Sequence, residues 1–495
     1  MKATPYVPSQ SDNPGSRPTS IENEAPIPSG FWSMAFAFWL ATLFILYSKF
    51  FDSILTGFYV PKVVILCTVI FFLVSGRPLF FLKSTGGKIM FGLVFWATFT
   101  LIFSVWKSGS IPMYTQLLQS MFFFALAAGL PRTVGDVRKT VYTMAFSGLV
   151  CSLLSLHFGA DHDGRLAIQN GSYADPNYFG MALAAAVPLL WQMAVTAQSK
   201  LMRIAAWLGM PLMLIDLAKT GSRGAMLGFI VMMLLLFLIS SVKTKIVLVL
   251  VTSVGIVVVL ATLPGYIKER YVTLFSVDPP ETQSNDGNDK DRDRLAGDAG
   301  SSQQRRHLLI ESVNLTFEHP IVGVGPGNFQ TAVYDEARAV GIKHNEWMAT
   351  HNSYTQISCE TGFPGLILLL CLIGSSFKSL SSVLRGSSAT GDKPDAATYA
   401  TAKSLLLSLV VISVCVFFLA VGYDFIIYVW AGLAVGLGRV YDQSAAQNSA
   451  LEEPEALPQP KLSFSPAFAR VQDGLVEPPR TNIVSGRPVR FNRFR

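Results

Sequence analysis

Twelve apolar runs, most of them close to twenty residues long, constrain this chain more than any other feature. They lie near 31–51, 58–76, 88–106, 111–130, 139–158, 177–197, 202–219, 223–240, 244–263, 362–384, 401–421 and 423–440. A helix rises 1.5 Å per residue, so about 20 apolar residues cross the hydrocarbon core of a bilayer. Charged residues make up 14% of the 495, against about 25% in soluble proteins. The expected fold is therefore an all-α polytopic membrane protein of about 12 transmembrane helices, not one large soluble core. The net charge of +7 follows from Lys and Arg gathered in loops and implies no nucleic-acid partner.

Loop charge sets an orientation. Counted from a cytoplasmic N-terminus, the even connections hold Arg77, Lys83 and Lys88; Arg132, Arg138 and Lys139; Lys200 and Arg203; Lys243 and Lys245; and Lys378, Arg385, Lys393 and Lys403. The odd connections hold chiefly Lys107, Arg165, Lys219 and Arg223. The asymmetry predicts both termini in the cytoplasm and the long 264–361 connection outside.

The expected organisation has five parts. Residues 1–30 are a disordered cytoplasmic tail, with no apolar stretch of the signal-peptide kind near Met1. Residues 31–263 carry helices 1–9. Residues 264–361 form one large periplasmic loop, in which 281–304 is a polar flexible insertion and 305–361 a helical cap. Residues 362–440 carry helices 10–12, and 441–495 form a second disordered cytoplasmic tail. Asp289, Asp291 and Asp293 alternate, but the Gly and closing Glu of an EF-hand loop are missing, so a solvated linker is expected and no metal. The cysteines (Cys67, Cys151, Cys359, Cys371 and Cys415) form no CxxC pair and read as small packing residues.

Three features project from one outer face under this topology. Thr220-Gly221-Ser222-Arg223-Gly224 places an arginine at the membrane boundary, where it is costly unless paired. Its planar fork suits phosphate. Arg305 and Arg306 open an amphipathic stretch with Leu309, Val313 and Phe317 at helical spacing, which His319-Pro320 ends. His351-Asn352 stands where the loop enters the next apolar run. Neutral imidazole there could serve as a base.

His351-Asn352, nine residues, then Gly362-x-x-Gly365, together with Ser222-Arg223-Gly224 and Pro320-x-x-Gly323-x-Gly325, resembles the O-antigen ligase and polymerase superfamily of bacterial membrane glycan ligases. Asp175-Pro176-Asn177, after Arg165 and just before an apolar run, is also similar to a segment of that family. The resemblance covers residues 160–385 by motif. It implies a GT-C-type O-antigen ligase fold in the bacterial inner membrane. It implies a metal-independent glycosyltransferase, without cofactor, that moves a glycan from undecaprenyl diphosphate to an acceptor hydroxyl of the lipid A core at the periplasmic face. The implied partners are the lipid-linked donor, a glycan or lipid A core acceptor, and membrane lipids. By the same resemblance His351 is the catalytic residue and Arg223, with Arg305 or Arg306, binds the diphosphate. Ser222, Gly224, Asn352, Arg165, Asp175 and Asn177 support the site.

The chemistry agrees with that implication. A diphosphate leaving an anomeric carbon needs its growing charge stabilised, not a proton, and arginines can do this. Retaining glycosidases use paired carboxylates instead, and Glu360 lies nine positions from His351, half a turn out of phase on a helix. A polymerase extending the glycan on the same donor is the alternative within this chemistry. A transporter or flippase is the alternative outside it, but transporters place charges near the midplane, often in repeated halves. Asp216 and Asp424, in or near apolar runs, are further candidates by position alone.

Overall fold

In the computed structural model the described residues are 29–54, 59–75, 79–162, 164–169, 171–272, 289–339, 347–386 and 393–452. Residues 1–28, 281–288 and 453–495, which fall in the expected tails and insertion, lie outside them. Helices α1 (Ser29–Ser48), α2 (Phe50–Ile54), α3 (Val60–Val74), α4 (Thr85–Thr100), α5 (Lys107–Gly129) and α6 (Val134–Phe158) come first. An antiparallel hairpin of β1 (Gly159–His162) and β2 (Arg165–Ile168) follows, pairing His162 with Arg165. Next are α7 (Pro176–Thr196), α8 (Lys200–Lys219), α9 (Arg223–Ile239) and α10 (Val242–Thr262). Then come α11 (Gly265–Val272), α12 (Asp289–Glu318), α13 (Phe329–Ala339), α14 (Ser353–Arg385), α15 (Ala396–Cys415) and α16 (Phe425–Glu452).

Nine helices among the described residues are long and apolar enough to cross a membrane; α3 and α9 are apolar but shorter. The chain is a multi-pass membrane protein. The twelve expected spans exceed nine partly because α3 has 15 residues and α9 has 17, short of the roughly 20 a straight span needs. Two stretches expected to lack structure are helical. α12 begins at Asp289, inside the expected insertion, and α16 runs on to Glu452, into the expected C-terminal tail. Each polar stretch continues a helix anchored elsewhere, and extending a formed helix adds a hydrogen bond for every residue fixed without a second nucleation cost.

The Ala-rich α7 runs through the core and packs on α6, α8, α9 and α15. Small residues let helix backbones approach where lipid supplies no hydrophobic drive. Hydrogen bonds from Gln192 Nε2 to Thr401 Oγ1 (2.7 Å) and from Ser408 Oγ to the Ala185 carbonyl (2.7 Å) tie α15 to it.

The odd connections gather at one end of the bundle. Val105 N donates to the Val324 carbonyl (3.1 Å), joining the 101–106 connection to the turn after α12. Ser353 Oγ at the start of α14 donates to the Leu419 carbonyl (2.6 Å) before α16. A small core of Leu308, Leu315, Val324, Phe329, Val333 and Cys359 joins α12, α13 and the first turns of α14.

α14 is broken at Gly362 (φ 73°, ψ 179°), two residues before Pro364. The Pro320–Gly325 turn docks into this break. Phe363 N donates to the Pro320 carbonyl (2.8 Å), Val324 N to that of Cys359 (2.9 Å) and Gly325 N to that of Glu360 (2.9 Å). A Cβ on Gly362 would overlap the Ile321 carbonyl, and one on Gly323 the Glu360 carbonyl. Trp96 Nε1 donates to the Thr361 carbonyl (2.7 Å) that the break exposes. Gly362→Ala is expected to destabilise the protein by at least about 2 kcal/mol, because its φ/ψ region admits essentially only glycine. Thermal unfolding in detergent checks this; an unchanged midpoint would mean the break is not strained.

Candidate functional site

The hairpin between α6 and α7 carries Arg165 at the first position of β2. Gly164, just before β2, has φ 80°, a left-handed conformation that glycine adopts without cost. Asp175 caps α7: its Oδ1 accepts from Asn177 N (2.8 Å) and Nδ2 (3.1 Å). Asn177 Oδ1 in turn accepts from Arg165 Nη2 (2.7 Å), and Arg165 Nε donates to the Thr220 carbonyl (2.8 Å). Arg165, Asp175 and Asn177 are thus one network, and it ends on the turn between α8 and α9.

That turn is pressed against the start of α7. A Cβ on Gly180 would meet Thr220 Oγ1 at 2.9 Å and Ser222 Cβ at 3.0 Å. Gly221 has φ 59°, a left-handed conformation that glycine adopts without cost. Ser222 caps α9 by accepting from Ala225 N (3.3 Å), so Arg223 is the first residue of α9. Gly224 packs closely on Phe418.

Arg270, which the sequence reading did not single out, completes this corner. It is 5% exposed, and its Nε donates to the Gly221 carbonyl (2.8 Å). Its helix α11 docks through Ile267 and Tyr271 onto Ala218, and Tyr271 Oη donates to the Ala218 carbonyl (2.9 Å). The signal available in the sequence was the i,i+4 pair Ile267 and Tyr271, which turns Arg270 towards the same side.

On α12, Arg305 is half-buried on the face of Leu308, Ser312 and Leu315, while Arg306 is exposed. The two differ by about 100° around the helix, so the structure brings Arg305 to the site and leaves Arg306 facing out. His351 follows the buried Thr350 and has φ 51°, in the left-handed region. That region is uncommon for a side chain other than glycine, although His, Asn and Asp enter it more readily than most. Asn352 caps α14, its Oδ1 accepting from Tyr354 N (2.9 Å) and Thr355 N (3.2 Å).

Arg165, Arg223, Arg270 and Arg305 lie within one another's fields. Burial and the other three arginines push the Arg270 guanidinium down to about 9. Burial, opposed by Asp175 and reinforced by Arg305 and Arg223, lowers Arg165 to about 10. All remain cations at neutral pH. Burial first, then Arg305, holds the His351 imidazole below its ordinary 6.5, with Asp175 pulling weakly the other way. The imidazole is therefore neutral at physiological pH. Two donors at the site, Arg305 Nε and Asn352 Nδ2, are buried without a hydrogen-bond partner among the described residues. An unpaired buried donor costs about 1–3 kcal/mol, so both are donors that a bound acceptor atom would satisfy.

Glu360 serves the fold. It is buried, and its Oε2 accepts from Gly327 N (2.7 Å). Asp216 Oδ2 accepts from Ser155 Oγ (3.0 Å), and Asp424 Oδ1 from Tyr178 Oη (2.7 Å) and Ile426 N (2.9 Å).

Residues 208–370 match the family model for O-antigen ligase. That match, over about a third of the chain, supports the O-antigen ligase superfamily. Its members are glycan ligases and polymerases, so this is an enzyme of glycan transfer. The matched segment runs from α8 into α14 and contains Arg223, Arg270, Arg305, His351 and Gly362, while Arg165, Asp175 and Asn177 lie before it. No curated protein matches the chain.

Inorganic pyrophosphate binding to the detergent-solubilised protein tests the anion cradle. Arg270→Gln or Arg305→Gln should each weaken it by about 10- to 100-fold, the loss of one charge-assisted hydrogen bond of roughly 1.5–3 kcal/mol. Arg306→Gln should change it by no more than about twofold. Equal losses at 305 and 306 would contradict the assignment.

Proposed function

We propose that this protein is an O-antigen ligase that transfers a glycan from undecaprenyl diphosphate to a hydroxyl of the lipid A core. The observation that carries this reading is the cluster of four arginines, one buried and three half-buried, beside a neutral histidine. The reaction forms a bond from the acceptor oxygen to the anomeric carbon and breaks the bond from that carbon to the diphosphate oxygen. His351 takes the acceptor proton. The electron pair leaves with the diphosphate, whose growing charge Arg165, Arg223, Arg270 and Arg305 receive. The leaving group thus needs neither a carboxylic acid nor a metal ion. Single displacement inverts the anomeric centre. Asp175, Asn177, Ser222, Gly224 and Asn352 position these groups, and Arg306 stands outside the cradle.

The setting we propose is the bacterial inner membrane, with both termini cytoplasmic and the arginine site periplasmic. Loop charge supports this orientation, because Lys and Arg are concentrated in the even connections. The odd connections, which meet at the arginine site, form the other end. Twelve spans fit this path if α3, α9 and α10 cross with the nine longer helices.

The test is reconstitution with an undecaprenyl-diphosphate glycan, EDTA present, and either lipid A core or a second carrier-linked glycan as acceptor. Transfer to lipid A core supports the ligase. Longer glycans left on the carrier would make it a polymerase, and vectorial transport without transfer would sink the enzyme reading. Arg223→Ala, at normal membrane levels, is expected to lose about 100- to 1,000-fold in rate, or roughly 3–4 kcal/mol of transition-state stabilisation.

The pH profile tests His351 separately. The base works when neutral, so kcat/KM should be flat above pH 6.5 and fall as pH drops through an inflection below 6.5. His351→Gln should remove both most of the rate and that inflection. An inflection that survives the substitution would assign the acid limb to another group.

A further inference from the structure

Beside Thr350, the residue before His351, lies a cavity of about 300 Å³ whose described lining includes none of the four arginines. It is at the small end of the range for ligand pockets. Its polar lining comes from Gln116 of α5, Tyr178 of α7, Gln330 of α13, Gln356 and Glu360 of α14, and Asp424 before α16. Thr350 and Ala349, the two residues before His351, form part of its wall. Among the described residues, no lysine or arginine lines it.

We infer that this cavity is the acceptor subsite, built for an uncharged, hydroxyl-rich sugar ring, whereas the diphosphate stays with the arginines. The inference rests on the glycan-transfer reading above. Charge distinguishes the two places: four cations at the arginine site, two carboxyl groups and three amides in the cavity. A diphosphate would meet two carboxyl groups in the cavity and no described cation, which is unfavourable. Sugar hydroxyls donate to carboxylates and accept from amides, so this lining suits them. Asp424 is 8% exposed. Its Oδ1 holds Tyr178 and Ile426, but its Oδ2 has only Gln116 Nε2 at a long 3.5 Å, so that oxygen keeps capacity for a substrate hydroxyl. Gln356 Oε1 accepts from Gly422 N (3.0 Å), which fixes the amide with its NH₂ left to donate. Lys49 acts on Asp424 from outside the lining.

Occupancy can be read without turnover. A maleimide would label Ala349→Cys in a background where the exposed Cys371 is replaced by alanine. Lipid A core oligosaccharide or the free glycan repeat, neither carrying a diphosphate, should slow labelling about tenfold near saturation. Undecaprenyl diphosphate without glycan should not. Protection by the diphosphate carrier alone, or by neither probe, overturns the subsite. In the transfer assay, Gln330→Ala should raise the acceptor KM by roughly 3- to 10-fold, with the donor KM unchanged. A rise in the donor KM alone overturns the assignment in favour of the donor glycan. If wild type transfers glycan and His351→Ala does not, while the cavity variants behave as wild type, only this inference fails. If wild type transfers nothing, the glycan-transfer reading fails, whatever the labelling shows.

Discussion

Four arginines held within one another's fields are the constraint around which this end of the bundle is organised. Bringing like charges together in a partly dry site is unfavourable, and the cost falls when an anion enters. Two of the four are pinned by backbone carbonyls. Arg165 and Arg270 donate to the carbonyls of Thr220 and Gly221, and Arg223 opens the helix that follows that turn. Bonds of this kind hold the guanidinium heads without neutralising them, as a carboxylate partner would. The glycine at 221 is what allows two arginines to converge on one turn, since a Cβ there would lie 3.3 Å from Arg270 Cδ and 3.5 Å from Arg165 Cγ.

The opposite wall depends on glycine in a different way. The break in α14 at Gly362 and the turn at Gly323 fit only because neither has a side chain, and their backbones exchange hydrogen bonds across the contact. This lock fixes where α14 begins relative to α12, and so fixes Arg305 relative to His351. The motif glycines read from the sequence therefore act on geometry, holding two chemical groups in register from nine or more residues away.

Much of this was legible beforehand, and the misses have physical causes. The apolar runs announced the helices, because length and composition alone decide that signal. His351, Arg223 and the Arg305–Arg306 pair were found from a pattern of spacings. Choosing between 305 and 306 needed the phase of α12, which Leu308, Ser312 and Leu315 supply but which Leu309 and Val313 obscured by suggesting another face. Arg270 sits in a short polar helix beside Lys268, and only tertiary docking through Ile267 and Tyr271 separates it from an ordinary surface charge. The hairpin that presents Arg165 is four residues per strand, too brief for periodicity to reveal amid so many helices. The helical stretch of α12 before Arg305 was missed because composition reports on the drive to form a core, not on extension of a helix anchored downstream.

The neutral state of His351 follows from the same charges that would hold the diphosphate. Burial and Arg305 both disfavour imidazolium, and the positive end of α14 acts in the same direction. A base placed among cations is weakened as a proton acceptor while the site is empty. Binding a diphosphate offsets much of that positive field, which raises the proton affinity of His351 when the acceptor hydroxyl needs it. The arginine cluster would then do two things with one arrangement. It would stabilise the leaving group, and it would keep the base uncharged until a donor is bound, so that proton removal is coupled to the presence of something to react with.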